Sequence, residues 1–143
     1  MLIQYKELCD EAIYPVFLSP FERHIERKYH DFTMAGVPSS PSHLSRRGFD
    51  HIRQMFSAIA LPYVSLFEKD EMTEQKKASQ EKRRSIEGHI HLKEGVPVPQ
   101  TPLLIVDDVL TSGESLKTTC ALMKNHPYPV KALLVSATAK WIE

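Results

Sequence analysis

Apolar residues along this chain fall into continuous runs and into periodic stripes, and the two predict different elements. Leu103-Leu-Ile-Val106 is wholly apolar, as expected for a strand buried on both faces, and it ends in Asp107-Asp108. Phe32-Thr-Met-Ala-Gly-Val37 carries no charge and meets Pro38-Ser-Ser-Pro41, which reads as a buried strand running into a turn. Tyr63-Val-Ser-Leu-Phe67 and Val130-Lys-Ala-Leu-Leu-Val135 are the other strand candidates. Ile52, Met55, Phe56, Ile59 and Ala60 instead recur at i, i+3, i+4, i+7 and i+8, the stripe of a helix packed on a core. Asp50 is placed to cap that helix and Leu61-Pro62 to end it. Leu116, Cys120 and Met123 repeat the stripe up to Asn125, with Pro127 beyond. Tyr5 to Tyr29 is helix-like, with Leu8, Ala12, Val16 and Phe17 near one face and breaks at Pro15 and Pro20.

Strand, helix, strand, long excursion, strand, helix, strand implies an α/β fold with a mainly parallel sheet and flanking helices. The whole chain, 1–143, suits one domain. The excursion holds the segment least able to build a core. Between Glu68 and Arg84 the only large apolar residue is Met72, and positive and negative charges nearly cancel. It reads as a solvated loop or exposed helix, or as a flexible lid over residues 68–84 that closes on an anionic ligand. Gly95 to Pro102 is a proline-rich connector.

Composition narrows the function classes. Lys plus Arg and Asp plus Glu are 18 each, so the formal net charge is 0. That argues against a protein that coats nucleic acid through excess positive charge, while leaving room for a local basic groove. Cys9 and Cys120 are too few for a zinc cluster or a disulfide scaffold. No stretch approaches the ~18–20 apolar residues of a membrane span. Lys6, Glu7, Asp10 and Glu11 interrupt any signal-peptide core, so the expectation is a soluble, cytoplasmic protein. His89-x-His91 has no evident third metal ligand and reads as loop; Cys120 and Trp141 read as packing.

The chemistry concentrates in Leu103-Leu-Ile-Val-Asp-Asp-Val-Leu-Thr-Ser-Gly-Glu-Ser115. A buried strand delivers two carboxylates at its C-terminal end, where open parallel sheets bind ligands. A turn of small hydroxyl residues follows and opens a helix. Thr111, Ser112 and Ser115 donate hydroxyls, Gly113 lets the backbone approach, and the helix N-terminus adds free N–H groups: together a phosphate site. Carboxylates beside a phosphate repel it unless they face hydroxyls or a cation, so Asp107 and Asp108 fit ribose hydroxyls, with Mg²⁺ reached through water. Glu114 conflicts with an anion unless it points outward. Singly, each residue is explained as well by ending a strand or capping a helix; the combination asks for a sugar phosphate. It is neither a Walker A loop, since no Gly-Lys-Ser/Thr occurs, nor a Gly-x-Gly-x-x-Gly dinucleotide loop.

This run resembles the phosphoribosyl pyrophosphate (PRPP) motif of type I phosphoribosyltransferases at every position. The resemblance implies that Thr111, Ser112, Gly113, Glu114 and Ser115 cradle the 5-phosphate and that Asp107 and Asp108 bind the ribose hydroxyls. Thr111 stands where purine-salvage members usually carry an acid, which disfavours a hypoxanthine–guanine-type enzyme. Tyr5-Lys6, Val37-Pro38, Arg46-Arg47-Gly48-Phe49-Asp50, Lys69, Gln75 with Arg83, and the Asp-Asp loop occur in the order of the ComF family, competence-associated phosphoribosyltransferase-like proteins of bacteria. Asp50-His51 departs from the Asn-Gln that normally follows Arg-Gly-Phe, and Ala78 from a usual Leu. Many members of that family carry an N-terminal four-cysteine zinc module; the sequence given starts after its expected place, as a natural short form, a trimmed chain or a misplaced start would. The resemblance further implies that Ser39, Ser40, Lys69 and Arg47 meet pyrophosphate, although a surface role suits Arg46 and Arg47 equally. Gln75, Lys76 and Arg83 would ride on the lid.

Two functions lead, with a regulator that senses PRPP without turnover as a third. One is a PRPP-binding protein that, if catalytic, transfers ribose 5-phosphate to an acceptor and releases pyrophosphate with Mg²⁺. The other is a non-catalytic adaptor in transformation, binding a helicase-type partner or single-stranded DNA through Arg46-Arg47 and Lys82-Arg83-Arg84. Acceptor and oligomeric state are not readable from the residues.

Overall fold

The computed structural model describes residues 18–70, 90–110 and 112–137. In chain order the elements are α1 (Glu22–Lys28), β1 (Thr33–Gly36), α2 (Pro41–Arg47), α3 (His51–Met55), β2 (Tyr63–Val64), β3 (Phe67–Lys69), β4 (Ile90–Leu92), β5 (Leu103–Leu110), α4 (Glu114–Leu122) and β6 (Val130–Ala137). Four strands form a parallel sheet in the order β2-β1-β5-β6, and β3 and β4 form a separate antiparallel pair. The expected α/β architecture with a mainly parallel sheet is therefore the observed one.

Strand parity divides the core. Successive side chains on a strand point to opposite faces. Met34, Leu104 and Val106 face one way and pack with Ile25 of α1, with Ile52 and Met55 of α3, and with Phe56 and Ile59. Ala35, Leu103 and Ile105 face the other way, toward Phe67 and Ile90 of the hairpin and Met123 at the end of α4. β5 is buried on both faces: Leu103, Leu104, Ile105 and Val106 are each 0% exposed. Such burial stabilises by roughly 1.5–3 kcal/mol for each large side chain, so the continuous apolar run marks the centre of the sheet.

The order of strands also fixes where a ligand can sit. From β1 the chain crosses to β2 on one side; from β5 it crosses to β6 on the other. β1 and β5 are thus the neighbours whose connections diverge. The loops leaving their C-terminal ends border a crevice, the usual ligand position in open parallel sheets. Gly36 lies opposite Val106 across this boundary, and the Val37 N–H donates to the Val106 carbonyl at 2.9 Å.

Five local differences from the sequence reading stand out. Pro38 to Pro41 is more than a turn, because Pro41 starts α2 at a position where its missing N–H costs nothing, and Gly48 stops that helix in the left-handed region at φ 79°. The stripe from Ile52 to Ala60 is helical only to Met55; Ile59 is buried beyond it in a turn. Tyr63 to Phe67 is divided between β2 and β3, so its two ends serve different sheets. β5 does not end at the aspartates but runs through them to Leu110. His91 lies in a strand, β4, where a loop was expected.

Candidate functional site

Because β5 continues through Asp107 and Asp108, parity separates their side chains. Asp108 shares a face with Leu104 and Val106 and points at α3; Asp107 shares the face of Leu103 and Ile105. Each carboxylate also folds onto the backbone. Asp107 Oδ1 accepts from the Asp108 N–H at 2.9 Å, and Asp108 Oδ1 accepts from the Val109 N–H at 2.6 Å. Asp107 is half-buried, whereas Asp108 is 3% exposed.

Asp108 is buried against a histidine. His51 Nε2 lies 3.1 Å from Asp108 Oδ2, with both side chains buried. The other ring nitrogen, Nδ1, lies 3.0 Å from an Arg47 guanidinium nitrogen and 3.4 Å from Ser39 Oγ. A guanidinium only donates, so Nδ1 accepts and the ring proton sits on Nε2, donating to Asp108. His51 is placed by α3, whose first turn Asp50 caps by accepting from the Ile52 and Arg53 N–H groups at 3.1 and 3.2 Å. Asp50 thus fills the capping role expected of it. Arg47, expected at pyrophosphate, is half-buried and directed to this ring.

The hydroxyl turn leads into α4 as its sequence suggests. Gly113 precedes the helix in the left-handed region at φ 81°, a conformation costly for residues with a Cβ, and is buried. Its carbonyl accepts from the Lys117 N–H at 2.8 Å. Ser112 is exposed, with its Oγ 3.4 Å from the Glu114 N–H. Glu114 and Lys117 pair along the helix at 3.6 Å, so the Glu114 carboxylate has a cation beside it and the conflict with an anion eases. The first turn of such a helix carries N–H groups and a partial positive charge of the kind that favours an anion.

Across the crevice, the chain leaving β1 borders a cleft of about 250 Å³ lined by Gly36, Pro38, Ser39, Asp50, Tyr63, Lys69 and Lys93, among others. Ser39 and Lys69 therefore share one cleft, as the sequence reading has them share one ligand. Ser40 stands at the N-cap position of α2, with Oγ 3.3 Å from Ser42 Oγ. Lys93 and Tyr63 were not singled out from the sequence; Lys93 follows β4, an arm with no legible periodicity. Burial pushes the Tyr63 pKa up and the Asp50 charge adds to this, while Arg53 and the Gly36 N–H pull the other way. Tyr63 is thus a neutral hydroxyl over the cleft. A Cβ on Gly36 would meet that hydroxyl and Ile52. A larger cavity of about 330 Å³ lies between α1 and β6. It is mostly apolar, away from the crevice, and lacks convergent polar groups.

Thr111 of the turn and Gln75, Lys76 and Arg83 of the lid lie outside the described residues. Cys120 is half-buried against the core, and burial pushes its thiol pKa up, as suits packing rather than nucleophilic chemistry. Among the described residues no group of three or more His, Cys, Asp or Glu side chains is arranged to hold a metal. Nor is any helix among them long and apolar enough to cross a membrane.

No protein-family model and no curated protein matches the sequence. Solved structures do match the fold. A hypoxanthine phosphoribosyltransferase from Staphylococcus aureus superposes with TM-score 0.52 and 12% identity, over 91% of this chain and 66% of that one. An adenine phosphoribosyltransferase superposes with TM-score 0.54 and 11% identity, over 92% of this chain and 73% of that one. The chain spans just under two thirds of the Staphylococcus aureus protein. At these identities the likeness is one of fold, and the fold is that of the type I phosphoribosyltransferases.

Proposed function

We propose that the protein binds PRPP in the crevice between the ends of β1 and β5 and transfers its ribose 5-phosphate to an acceptor, releasing pyrophosphate. One observation carries this reading. The helix-opening hydroxyl turn after the β5 aspartates and the serine- and lysine-lined cleft after β1 flank the point where the strand order diverges. A helix N-terminus, a carboxylate and a second cleft that offers Ser39, Lys69 and Lys93 beside Asp50 and Glu68 suit, in that sequence, a ligand with a phosphate, a diol and a diphosphate that arrives with a cation.

The roles follow from the chemistry of each group. The N–H groups of the first turn of α4, with Ser112, Ser115 and Thr111, hold the 5-phosphate. Asp107 takes ribose hydroxyls, which donate to its carboxylate; Asp108 lies behind it. Ser39, Ser40, Lys69 and Lys93 face the diphosphate, and Gln75, Lys76 and Arg83 close over it. In the transfer, the bond from ribose C1 to the diphosphate oxygen breaks, the acceptor's nucleophile bonds to C1, and pyrophosphate leaves with the electron pair. Lys69 and Lys93 offset the charge that develops on it. Mg²⁺ binds few protein ligands and many phosphate oxygens, so the donor set, half-buried Asp107 with Asp50 and Glu68 lining the neighbouring cleft, fits an ion that arrives with PRPP. It would supply further neutralisation of the diphosphate.

The order of Val37-Pro38, Arg46-Arg47-Gly48-Phe49, Gln75 and the Asp-Asp run supports a finer assignment, to ComF-like proteins acting in bacterial DNA uptake. Isothermal titration with PRPP and Mg²⁺ tests the main reading. Saturable binding near the micromolar range, about 8 kcal/mol, is expected, and no binding at millimolar PRPP overturns it. Transformation that survives Asp107→Ala with Asp108→Ala would instead favour an adaptor that needs no PRPP.

A further inference from the structure

The two aspartates of β5 look equivalent in the sequence, yet only one of them is beside a buried ring. On the reading that this crevice takes PRPP, we propose that His51 is a positioning residue. Its Nε2–H fixes the Asp108 carboxylate as an anchor, so that Asp107 alone is presented to the ribose.

Three observations carry this. First, parity sends Asp108 to the α3 face, where it is 3% exposed, leaving almost no surface for a sugar hydroxyl. Second, the Asp108 carboxylate is engaged at both oxygens: Oδ2 by His51 Nε2 at 3.1 Å and Oδ1 by the Val109 N–H at 2.6 Å. These contacts hold the stretch of strand from which the hydroxyl turn departs. Third, the ring that holds it is itself fixed from its far side. Arg47 donates to Nδ1 at 3.0 Å, which fixes the proton on Nε2. Ser39 of the loop after β1 approaches the same nitrogen at 3.4 Å. His51 therefore ties the two sides of the crevice together. The Asp108 N–H, in turn, donates to Asp107 Oδ1 at 2.9 Å, so the anchored residue also orients the carboxylate that meets the ligand. A group that holds a ligand's ligand in this way typically contributes tenfold or more to affinity, as outer-shell partners do at metal sites.

Side-chain geometry supplies the test. A glutamine amide nitrogen reaches about as far as histidine Nε2, whereas an asparagine amide reaches only as far as Nδ1. His51→Gln therefore keeps a donor at Asp108, and His51→Asn removes it while leaving a polar side chain of nearly the same kind. Wild type, His51→Gln and His51→Asn of the full chain are titrated calorimetrically with PRPP and Mg²⁺, with circular dichroism confirming that each is folded. The His51 ring nitrogens of the wild type are read by ¹⁵N NMR. The expected result is a proton on Nε2 and none on Nδ1, His51→Gln within about threefold of wild type, and His51→Asn weaker by about tenfold or more. Equal affinity of the two variants, or a ring protonated at Nδ1, overturns the role given to His51 while leaving PRPP binding in place. A wild-type protein that takes no PRPP at millimolar concentration overturns the underlying reading, and with it this one. If His51→Asn does not fold, the wild-type ring decides: a proton on Nε2 supports the assignment, and a proton on Nδ1 overturns it.

Discussion

Two histidine–carboxylate pairs in this chain have almost the same length and unlike surroundings. His51 and Asp108 meet at 3.1 Å with side chains 6% and 4% exposed. His91 and Glu68 meet at 3.0 Å with side chains 42% and 43% exposed, and Asp70 approaches the same ring at 3.8 Å. The first joins α3 to the central strand across 57 positions of sequence. The second joins two hairpin arms whose backbones already pair, with Glu68 opposite His91. Distance does not rank these contacts. An exposed pair exchanges solvation for attraction at little net gain, whereas a buried carboxylate deprived of its partner has no water to turn to.

The contrast can be broken most directly at His51. His51→Ala is expected to destabilise the chain by about 3 kcal/mol, because Asp108 loses a charge-assisted hydrogen bond inside the core. Urea denaturation would measure it, and a loss below about 1 kcal/mol would put this pair in the same class as the exposed one. Asp50→Ala sharpens the comparison by leaving the ring in place and loosening the helix that carries it. Loss of the cap on α3 should cost about 1 kcal/mol, with faster hydrogen exchange at the Ile52 and Arg53 amides; unchanged exchange there would refute the capping role.

Tyr63 adds a partly buried group whose effect appears only with pH. Its folded pKa is raised, chiefly by burial, above the value of about 10 expected in the unfolded chain. Below pH 10 the hydroxyl is neutral in both states and no stability is lost. Above it the unfolded chain sheds this proton while the folded chain keeps it, so stability falls as pH rises. By pH 11 the loss is about 1 kcal/mol, and Tyr63→Phe should remove that part of the alkaline slope. Equal slopes in the two proteins would contradict the shift. The smallest effect is expected at the exposed pair: His91→Ala should change stability by no more than about 0.5 kcal/mol, and less in high salt. A salt-insensitive loss of several kcal/mol would mean that the hairpin pair is structural after all.

Much of the frame is legible from residue patterns because burial on both faces leaves a mark that neighbours cannot imitate. Leu103 to Val106 reads as the sheet's centre, and Asp50 reads as a cap before the first apolar position of its helix. Short elements are less legible. β4 has three residues, too few to show a period, and α2 is hidden by prolines that serve as well to begin a helix as to make a turn. The site was legible in its local motif and not in its cross-chain contacts. Ser112, Gly113 and Ser115 mark a candidate anion site through their spacing, whereas the meeting of Ser39, Arg47, His51 and Asp108 depends on how four segments fold together. One signal was available: adjacent positions on a strand face opposite ways, so Asp107 and Asp108 could not both look into one crevice once β5 continued past them. The other was Asp50-His51 itself, a capping residue followed by a ring at the start of an apolar stripe.

The two aspartates are told apart by nothing but odd and even. Removing one residue upstream in β5 would trade their places, bringing the carboxylate now behind the crevice to its front and carrying Leu104 and Ile105 into each other's cores. For the gene encoding this chain, exchanging one codon for another in that stretch is a change selection can weigh by degrees. Losing a single codon in frame would exchange inside for outside in one step.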